Sequence, residues 1–258
     1  MKFAQSSISL VHLGLAVIAL ALAAPAAAQS DDDLARELLD ATDDVQRGES
    51  SHARVSMHVK TARWERTMTM EAWSKGEEQS LIKILSPAKE AGMSTLKVED
   101  NIWNYLPKVD RTMKVPASMM SGAWMGSHFS NDDLVKESRM ADDYTYSITS
   151  RPDDNPDGLF IIELIPKPDA PVVWGKVVVK VRGEDRMPVS IEYFDEKDGL
   201  ARTMGFSDIR ELGGNLVPCK MTLLPADKPD EFTVVTYDTL EFDVEIPDST
   251  FTLQALKP

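Results

Sequence analysis

The 258-residue sequence contains a single cysteine, Cys219. One cysteine cannot form an intrachain disulfide, so the disulfide framework on which many small exported domains depend is excluded. The fold must instead be stabilised by an apolar core and by backbone hydrogen bonds. Because Cys219 lies in a strand-like stretch, we predict that its thiol is a small buried apolar group and not a reactive one.

Histidine is also scarce, and the candidates for metal binding beyond residue 28 are His52, His58 and His128. None of them lies at metal-ligand spacing from another histidine or from the cysteine, so we predict no metal site. The acidic run 153–158 resembles the first half of a calcium-binding loop. The twelfth position of that loop would be Leu164, where a bidentate glutamate is required, so the run is better interpreted as a turn.

The usual signatures of catalysis are missing as well. The sequence has no Gly-x-Ser-x-Gly elbow, no phosphate-binding glycine loop and no dinucleotide fingerprint. Ser127, His128 and Ser130 supply hydroxyl and imidazole groups, but residues so close in sequence rarely form a working Ser/His pair. We therefore predict a non-enzymatic protein without a cofactor. An esterase acting on lipids, with Ser127 or Ser130 as nucleophile, is the catalytic alternative.

Basic residues are outnumbered by acidic residues. The chain has 28 lysines and arginines against 42 aspartates and glutamates, which gives a net charge of −14. Such an acidic chain is repelled by nucleic acid and by anionic membrane surfaces, so we predict neither as a partner.

Long apolar runs are absent except at the N-terminus, where Ile8–Ala24 follows Lys2 and precedes Ala26-Ala27-Ala28. This pattern predicts a secretory signal peptide over residues 1–28, cleaved after Ala28. An uncleaved anchor is the alternative, although the run is barely long enough to span a bilayer. No cysteine lies at the cleavage site, so we expect a periplasmic protein without a lipid anchor. Residues 29–258 contain no Gly/Ser- or Pro-rich linker and are predicted to form a single β-domain.

Period-two hydrophobicity, the pattern of half-buried strands, dominates the rest of the chain. Beyond alternating stretches at 55–59 and 67–72 and the apolar run 80–85, the predicted strands are Thr95–Val98, Ile102–Leu106, Arg111–Val115, Tyr144–Thr149, Leu159–Ile165, Lys176–Arg182, Val189–Phe194, Thr203–Leu212, Leu216–Leu224 and Phe232–Phe242. Short links between many strands indicate an antiparallel meander. Several strands are apolar on both faces, which predicts a mainly β fold: a strongly curved antiparallel sheet, or incomplete β-barrel. A closed barrel fits the pattern equally well.

Three segments could provide helices that close the open side of this sheet: Asp31–Arg47, the Met-rich segment 116–126, and Ser130–Arg139, with Ser130 as N-cap. The Met-rich stretch contains adaptable thioether side chains between small residues, a composition typical of surfaces that accept many shapes. We interpret it as a mobile apolar lid over a cavity. A loop packed permanently on the core is the alternative. The predicted ligand-binding residues are Met68, Met70, Trp103, Tyr105, Met119, Met120, Trp124, Met125 and Phe129.

The chain resembles a known family in four stretches. They are the N-terminal signal and first helix, Ile102–Arg111, Met125–Leu134 (MGSHFSNDDL) and Ile246–Leu253 (IPDSTFTL). On these residues it resembles the outer membrane lipoprotein-sorting proteins of the LolA/LolB-like periplasmic lipoprotein carrier superfamily. The resemblance implies an incomplete β-barrel with a helical lid that shields acyl chains from water. It also implies partnership with an inner-membrane transporter, often of the RND type.

Together these observations predict a periplasmic, chaperone-like carrier. It would bind the acyl chains of a lipid or lipoprotein in an apolar cavity and shuttle them from an inner-membrane transporter towards the outer membrane. The alternative is a non-catalytic interaction subunit of an envelope RND-type transport complex, whose interior is filled by side chains. The volume of the interior cavity distinguishes the two.

Overall fold

The computed structural model describes residues 30–136, 140–170 and 172–257, so the predicted signal peptide lies outside the described residues. The strands are β1 Ser50–Lys60, β2 Glu65–Lys75, β3 Gln79–Ser86, β4 Ser94–Val98, β5 Asn101–Leu106, β6 Arg111–Lys114, β7 Tyr144–Ser150, β8 Leu159–Pro166, β9 Lys176–Arg182, β10 Pro188–Phe194, β11 Leu200–Leu212, β12 Asn215–Pro225 and β13 Phe232–Phe242. The helices are α1 Asp31–Asp44, α2 Asp133–Lys136 and α3 Met140–Asp143. These ranges confirm the mainly β prediction.

All 13 strands belong to one antiparallel sheet in the order β6-β5-β4-β3-β2-β1-β13-β12-β11-β10-β9-β8-β7. Strands that are neighbours in the sheet are also neighbours in the chain, with one exception: β1 pairs with β13 at the centre. The two edge strands, β6 and β7, are therefore consecutive in sequence. Residues 115–143, which we call the crossing segment, must pass from one edge of the sheet to the other.

The sheet curves around a single large core. Along β9, the buried side chains are Val177, Val179 and Val181, the alternation expected for one inward face. The same core cluster contains Ile84 of β3 and Ile162 of β8, which lie in opposite halves of the sheet. Only a strongly curved sheet brings these halves together, so the predicted incomplete barrel is confirmed. The closed-barrel alternative is wrong, because β6 and β7 remain at opposite edges.

Helix α1 covers part of the inward face. Ser30 caps it by accepting a hydrogen bond from the Asp33 amide at 3.1 Å, and Leu38 and Leu39 are fully buried where the helix packs on β7 and β9. The prediction placed the end of this helix at Arg47, three residues beyond the observed end at Asp44. As predicted, Cys219 is buried, and burial raises the pKa of its thiol, which keeps it protonated and unreactive.

The two other predicted helices differ from the structure. Instead of a helix over 116–126, the chain forms two 3₁₀ turns, Ala117–Met119 and Trp124–Gly126. Met125 and Gly126 have φ angles of 48° and 66°, and this left-handed backbone ends any right-handed helix. The predicted helix Ser130–Arg139 is reduced to α2, with residues 137–139 outside the described part.

A second apolar cluster lies under the C-terminal segment. Tyr105 packs there with Leu81, Leu96 and Phe251, and the 3₁₀ turn Asp248–Phe251 rests on β3 and β4. This segment covers part of the sheet's second apolar face. Elsewhere that face is open to solvent, since Leu85 of β3 and Ile165 of β8 are 40% and 44% exposed.

Candidate functional site

The crossing segment carries two aromatic side chains into the core. Trp124 and Phe129 are buried, and both belong to the large core cluster. They are held together by a hydrogen bond from the Trp124 amide to the Phe129 carbonyl oxygen, 2.7 Å long. The indole Nε1 of Trp124 also donates to the Thr95 hydroxyl on β4, at 3.1 Å. The segment therefore lies over the concave face with its aromatic side chains against the sheet.

A buried ion pair attaches α2 to the sheet. The two terminal nitrogens of Arg202, on β11, donate to the two carboxylate oxygens of Asp133 at 2.7 and 2.6 Å. Asp133 also accepts the Ser130 amide at 2.7 Å, in return for the hydrogen bond from its own amide to the Ser130 hydroxyl. The Arg202 guanidinium packs on the rings of Trp174 and Tyr193, with its central carbon 4.6 and 4.3 Å from the ring centroids. This geometry fixes both the position and the orientation of α2.

A second attachment uses the left-handed turn at Met125. The Arg66 guanidinium, on β2, donates to the Met125 carbonyl oxygen and to the Glu90 carboxylate, the latter at 3.2 Å. The same guanidinium stacks on Trp64. One arginine thus links the crossing segment to two parts of the β1–β3 region.

A third attachment centres on His128. The Thr233 hydroxyl accepts the His128 amide at 3.0 Å and lies 2.8 Å from the ring nitrogen Nδ1, while Nε2 lies 3.1 Å from the Glu231 carboxylate. A threonine, a histidine and an acid in series resemble a catalytic triad. However, Thr233 is fully buried and its hydroxyl is already engaged by the backbone, so no substrate can reach it. Its contacts are those of a structural tether between the segment and β13.

Glu231 should make this tether sensitive to acid. The hydrogen bond from His128, followed by that from the Ala62 amide, lowers the pKa of the Glu231 carboxyl. A lowered folded-state pKa contributes stability that is present at neutral pH and is lost as the pH falls through that value. We expect a Glu231→Gln variant to have a lower free energy of unfolding than the wild type at neutral pH. This difference in stability should shrink as the pH falls below 4.5, the ordinary pKa of a glutamate carboxyl.

Urea unfolding at a series of pH values measures this gap. The matched control is Glu211→Gln, at an exposed position on β11, which should follow the wild-type curve throughout. A gap for Glu231→Gln that stays constant down to strongly acidic pH would contradict the tether.

One cavity, which we call the first cavity, lies between the crossing segment and the sheet. It has a volume of about 260 Å³, and its walls come from α1, from β1–β4 and from β10–β13. The apolar wall residues include Val55, Met70, Ile82, Trp124, Phe129, Leu134, Ile191, Met204, Phe206, Met221 and Val235. Polar residues lie where α1 ends and at the β2–β3 hairpin. The cavity is therefore apolar inside and polar at one mouth.

A second cavity is lined by crossing-segment residues between Ala117 and Asp132. It has a volume of about 600 Å³ and is bounded by Met120, His128, Trp174 and the residues of β11 and β12 nearest the 226–231 loop. Phe129 contributes to the walls of both cavities. Phe129 is therefore a wall residue that the two cavities share.

The structure places the nine predicted binding residues in different surroundings: two cavities, the core, the exposed surface and the second apolar cluster. Met70, Trp124 and Phe129 line the first cavity, and Met120 and Phe129 line the second. Met68 is fully buried in the core, Met125 packs on that core, and Met119 is 59% exposed. Trp103 and Tyr105 belong to the second apolar cluster, away from both cavities.

Sequence reasoning missed the part of the cavity wall that comes from the second half of the chain. Met204, Phe206, Met221 and Val235 line the cavity from β11, β12 and β13. The sequence does show that apolar residues recur at alternate positions of these long strands. It does not show that β1 pairs with β13, and this long-range pairing brings the four residues to the same cavity as Met70.

The acidic run resembling a calcium loop forms a turn closed by Asn155, whose side chain bonds the backbone of Arg151 and Leu159. Among the described residues, no cluster of three or more histidine, cysteine or acidic groups could hold a metal ion. Within the same ranges, no helix combines the length and the apolar character needed to cross a membrane.

Several solved structures share this fold, among them the following three. A DUF1329 family protein from Desulfovibrio piger is 24% identical, covers 89% of this chain and 100% of its own, and superposes with a TM-score of 0.77. A protein described as an outer membrane lipoprotein-sorting protein domain, from Vibrio parahaemolyticus, is 22% identical, with coverages of 88% and 98% and a TM-score of 0.72. A LolA superfamily protein from Nitrosomonas europaea is 21% identical, with coverages of 86% and 98% and a TM-score of 0.70.

No curated protein matches the chain in sequence. A family model whose description reads "Uncharacterized protein" matches residues 76–258, which is most of the chain. The resemblance seen in the sequence is thus confirmed at the level of the fold. The chain belongs to the family that this model describes, and it has the fold of the LolA superfamily.

Proposed function

We propose that the protein is a non-catalytic carrier that binds an acyl chain between the sheet and the crossing segment. The observation that carries this proposal is the 260 Å³ cavity with apolar walls on both sides. At about 30 Å³ for each water-sized group, it holds about eight methylene groups. Burial of each is worth about 0.8 kcal/mol, so the walls alone provide about 6 kcal/mol.

Affinity of this size suits a carrier, because a carrier must also release what it binds. About 6 kcal/mol corresponds to a dissociation constant of about 40 μM, and the cost of immobilising the chain makes the binding weaker than that. The cavities also favour a carrier over the interaction subunit with a filled core, since that subunit requires no interior space. The second cavity adds about 600 Å³ on the far side of Phe129.

The envelope is the site of action that we propose, on the strength of the predicted signal peptide and the fold. The donor implied by the sequence resemblance is an inner-membrane transporter of the RND type. Affinity purification of the full-length protein from cross-linked cells tests this partner. Recovery of an RND-type transporter above an untagged control is expected, and repeated recovery of cytoplasmic proteins alone would contradict the proposed location.

Filling the cavity tests the binding proposal directly. Ala72, on β2, lines the first cavity, and phenylalanine at this position would occupy the space of the ligand. We expect Ala72→Phe to weaken decanoate binding at least about tenfold, since even two displaced methylene groups correspond to about 1.6 kcal/mol. Titration calorimetry with the purified protein measures the change.

The matched control is Ala88→Phe, the same substitution at an exposed position in the loop after β3. It should bind decanoate as the wild type does. If Ala72→Phe binds decanoate as tightly as Ala88→Phe, and both retain the wild-type unfolding midpoint, the first cavity is not the acyl-chain site. If the wild type binds no aliphatic ligand, the carrier proposal is wrong.

A further inference from the structure

The mouth of the first cavity contains an arginine whose hydrogen bonding is incomplete. Asp43, Gln46 and Arg47, where α1 ends, line this cavity together with Glu77 of the β2–β3 hairpin and Lys97 of β4. This is a cluster of polar and charged groups on the rim of an otherwise apolar cavity. Such a rim is where an amphiphilic ligand would place its polar end.

Most of these polar groups already have interaction partners within the protein. Gln46 donates through Nε2 to the Pro218 carbonyl oxygen at 2.5 Å. Lys97, although buried, donates to the Glu77 carbonyl oxygen at 2.5 Å. Asp43 and Lys97 each have further partners. Their hydrogen-bonding capacity is therefore at least partly used within the protein.

Arg47 is different. Its terminal nitrogen Nη1 is buried and has no hydrogen-bond partner within the described part of the chain. A buried donor on a charged group that lacks a partner carries its full desolvation cost, so such groups are rare and call for an explanation. A ligand that supplies the acceptor is the explanation that the position of Arg47 on a cavity wall favours.

The acidic side chains on the same wall are Asp43, Asp133 and Glu77. Asp43 already has an interaction within the protein, and Asp133 is neutralised by its two hydrogen bonds from Arg202. The Glu77 residue is exposed, so its charge is screened by solvent. A planar guanidinium with an available edge binds carboxylate and phosphate oxygens in preference to neutral acceptors.

We propose that the natural ligand of the first cavity is an anionic amphiphile, with its aliphatic chain among Met70, Phe129 and Met204 and its carboxylate or phosphate group on Arg47. This inference rests on the proposed function, because it names the headgroup of the molecule whose chain the cavity holds. It goes further in assigning a charge to the ligand and a polar contact to a residue that the sequence did not single out.

The test compares three probes that share one aliphatic chain: decanoate, decyl phosphate and decanol. Each is titrated calorimetrically into the full-length exported protein and into Arg47→Gln and Arg54→Gln variants. Arg54 is the matched control, an exposed arginine on β1 that is not part of the cavity wall. Thermal unfolding of all three proteins verifies that the substitutions leave the fold intact.

We expect the wild type to bind decanoate or decyl phosphate about tenfold more tightly than decanol, as one charge-assisted hydrogen bond allows. Arg47→Gln should lose that preference while binding decanol as before, and Arg54→Gln should keep it. Whichever anionic probe binds more tightly identifies the headgroup, a carboxylate or a phosphate.

The failure of this inference is distinguishable from failure of the carrier function. Binding of decanol with no preference for the anionic probes, or a preference that survives in Arg47→Gln, overturns the headgroup assignment alone. Absence of binding for all three probes overturns the carrier proposal and the inference together. Inorganic phosphate is titrated as a fourth probe. If it binds as tightly as decyl phosphate, Arg47 recognises a free anion and the amphiphile proposal is wrong.

Discussion

Replacing Phe129 with alanine should join the two cavities and change which chain lengths the protein binds. Phe129 is buried and contributes to both cavity walls, so we expect that removal of its ring opens a passage between spaces of about 260 and 600 Å³. A chain longer than the first cavity can then continue into the second. We expect palmitate to gain at least about tenfold in affinity relative to decanoate, since two additional buried methylene groups already supply about 1.6 kcal/mol.

The same substitution should also cost stability. Truncation of a buried phenylalanine to alanine destabilises a protein by about 3–5 kcal/mol, partly because a cavity remains. Phe251→Ala is a matched control: Phe251 is equally buried, but it packs in the second apolar cluster. Both variants should lose stability in urea unfolding, and only Phe129→Ala should alter the preference for chain length. An identical shift in both variants would show that general loosening, and not a passage at Phe129, is responsible.

Replacing Arg202 with methionine should be among the most destabilising single changes on the concave face. The substitution leaves the buried Asp133 carboxylate without its two charged donors and removes the cation from the rings of Trp174 and Tyr193. Removing one partner of a buried ion pair costs about 3–5 kcal/mol, because the remaining charge is buried without compensation. Urea unfolding at neutral pH measures the loss.

Two further variants separate the ion pair from general packing. Asp133→Leu combined with Arg202→Met removes both charges, so this double variant should recover most of the stability that Arg202→Met alone loses. Lys75→Met breaks an exposed ion pair with Asp248 and should cost no more than about 1 kcal/mol. If the double variant is as unstable as Arg202→Met, the uncompensated carboxylate is not the cause.

The sequence contains most of the information needed to place the strands. Period-two alternation depends only on neighbouring residues, so β5, β9 and β13 begin and end within a residue of their predicted bounds. Pairing between distant strands is different, because alternation does not record which strand lies opposite which. The β1–β13 contact at the centre of the sheet therefore emerges only in three dimensions.

The crossing segment shows why helices could not be predicted fully from the sequence. Methionine and alanine are good helix formers and favour a helix over residues 116–126, whereas Gly122 and Gly126 oppose one. The tertiary contacts of Arg66 with Met125 instead hold a left-handed turn, which no local propensity specifies. Trp124 and Phe129 nevertheless line the first cavity, because the apolar side chains of this segment are buried only where the segment packs against the sheet.

Arg47 and Trp103 illustrate why site residues are harder to predict than strands. Arg47 reaches the cavity only because α1 ends at Asp44 and the chain then turns towards the β2–β3 hairpin. Trp103 alternates correctly in β5, yet it packs in the second apolar cluster because the C-terminal segment returns to that part of the sheet. Both placements depend on contacts between residues far apart in the sequence.

The central pairing of the first strand with the last has a consequence for how the chain acquires its structure. Until residues 232–242 have emerged, β1 has only one neighbour and the halves β1–β6 and β7–β12 have no hydrogen-bonded connection. Closure of so long a loop is the slow type of step in folding, since its entropy cost precedes the contacts that repay it. The backbone N–H and C=O groups along one edge of β1 therefore stay unpaired until the final strand is available.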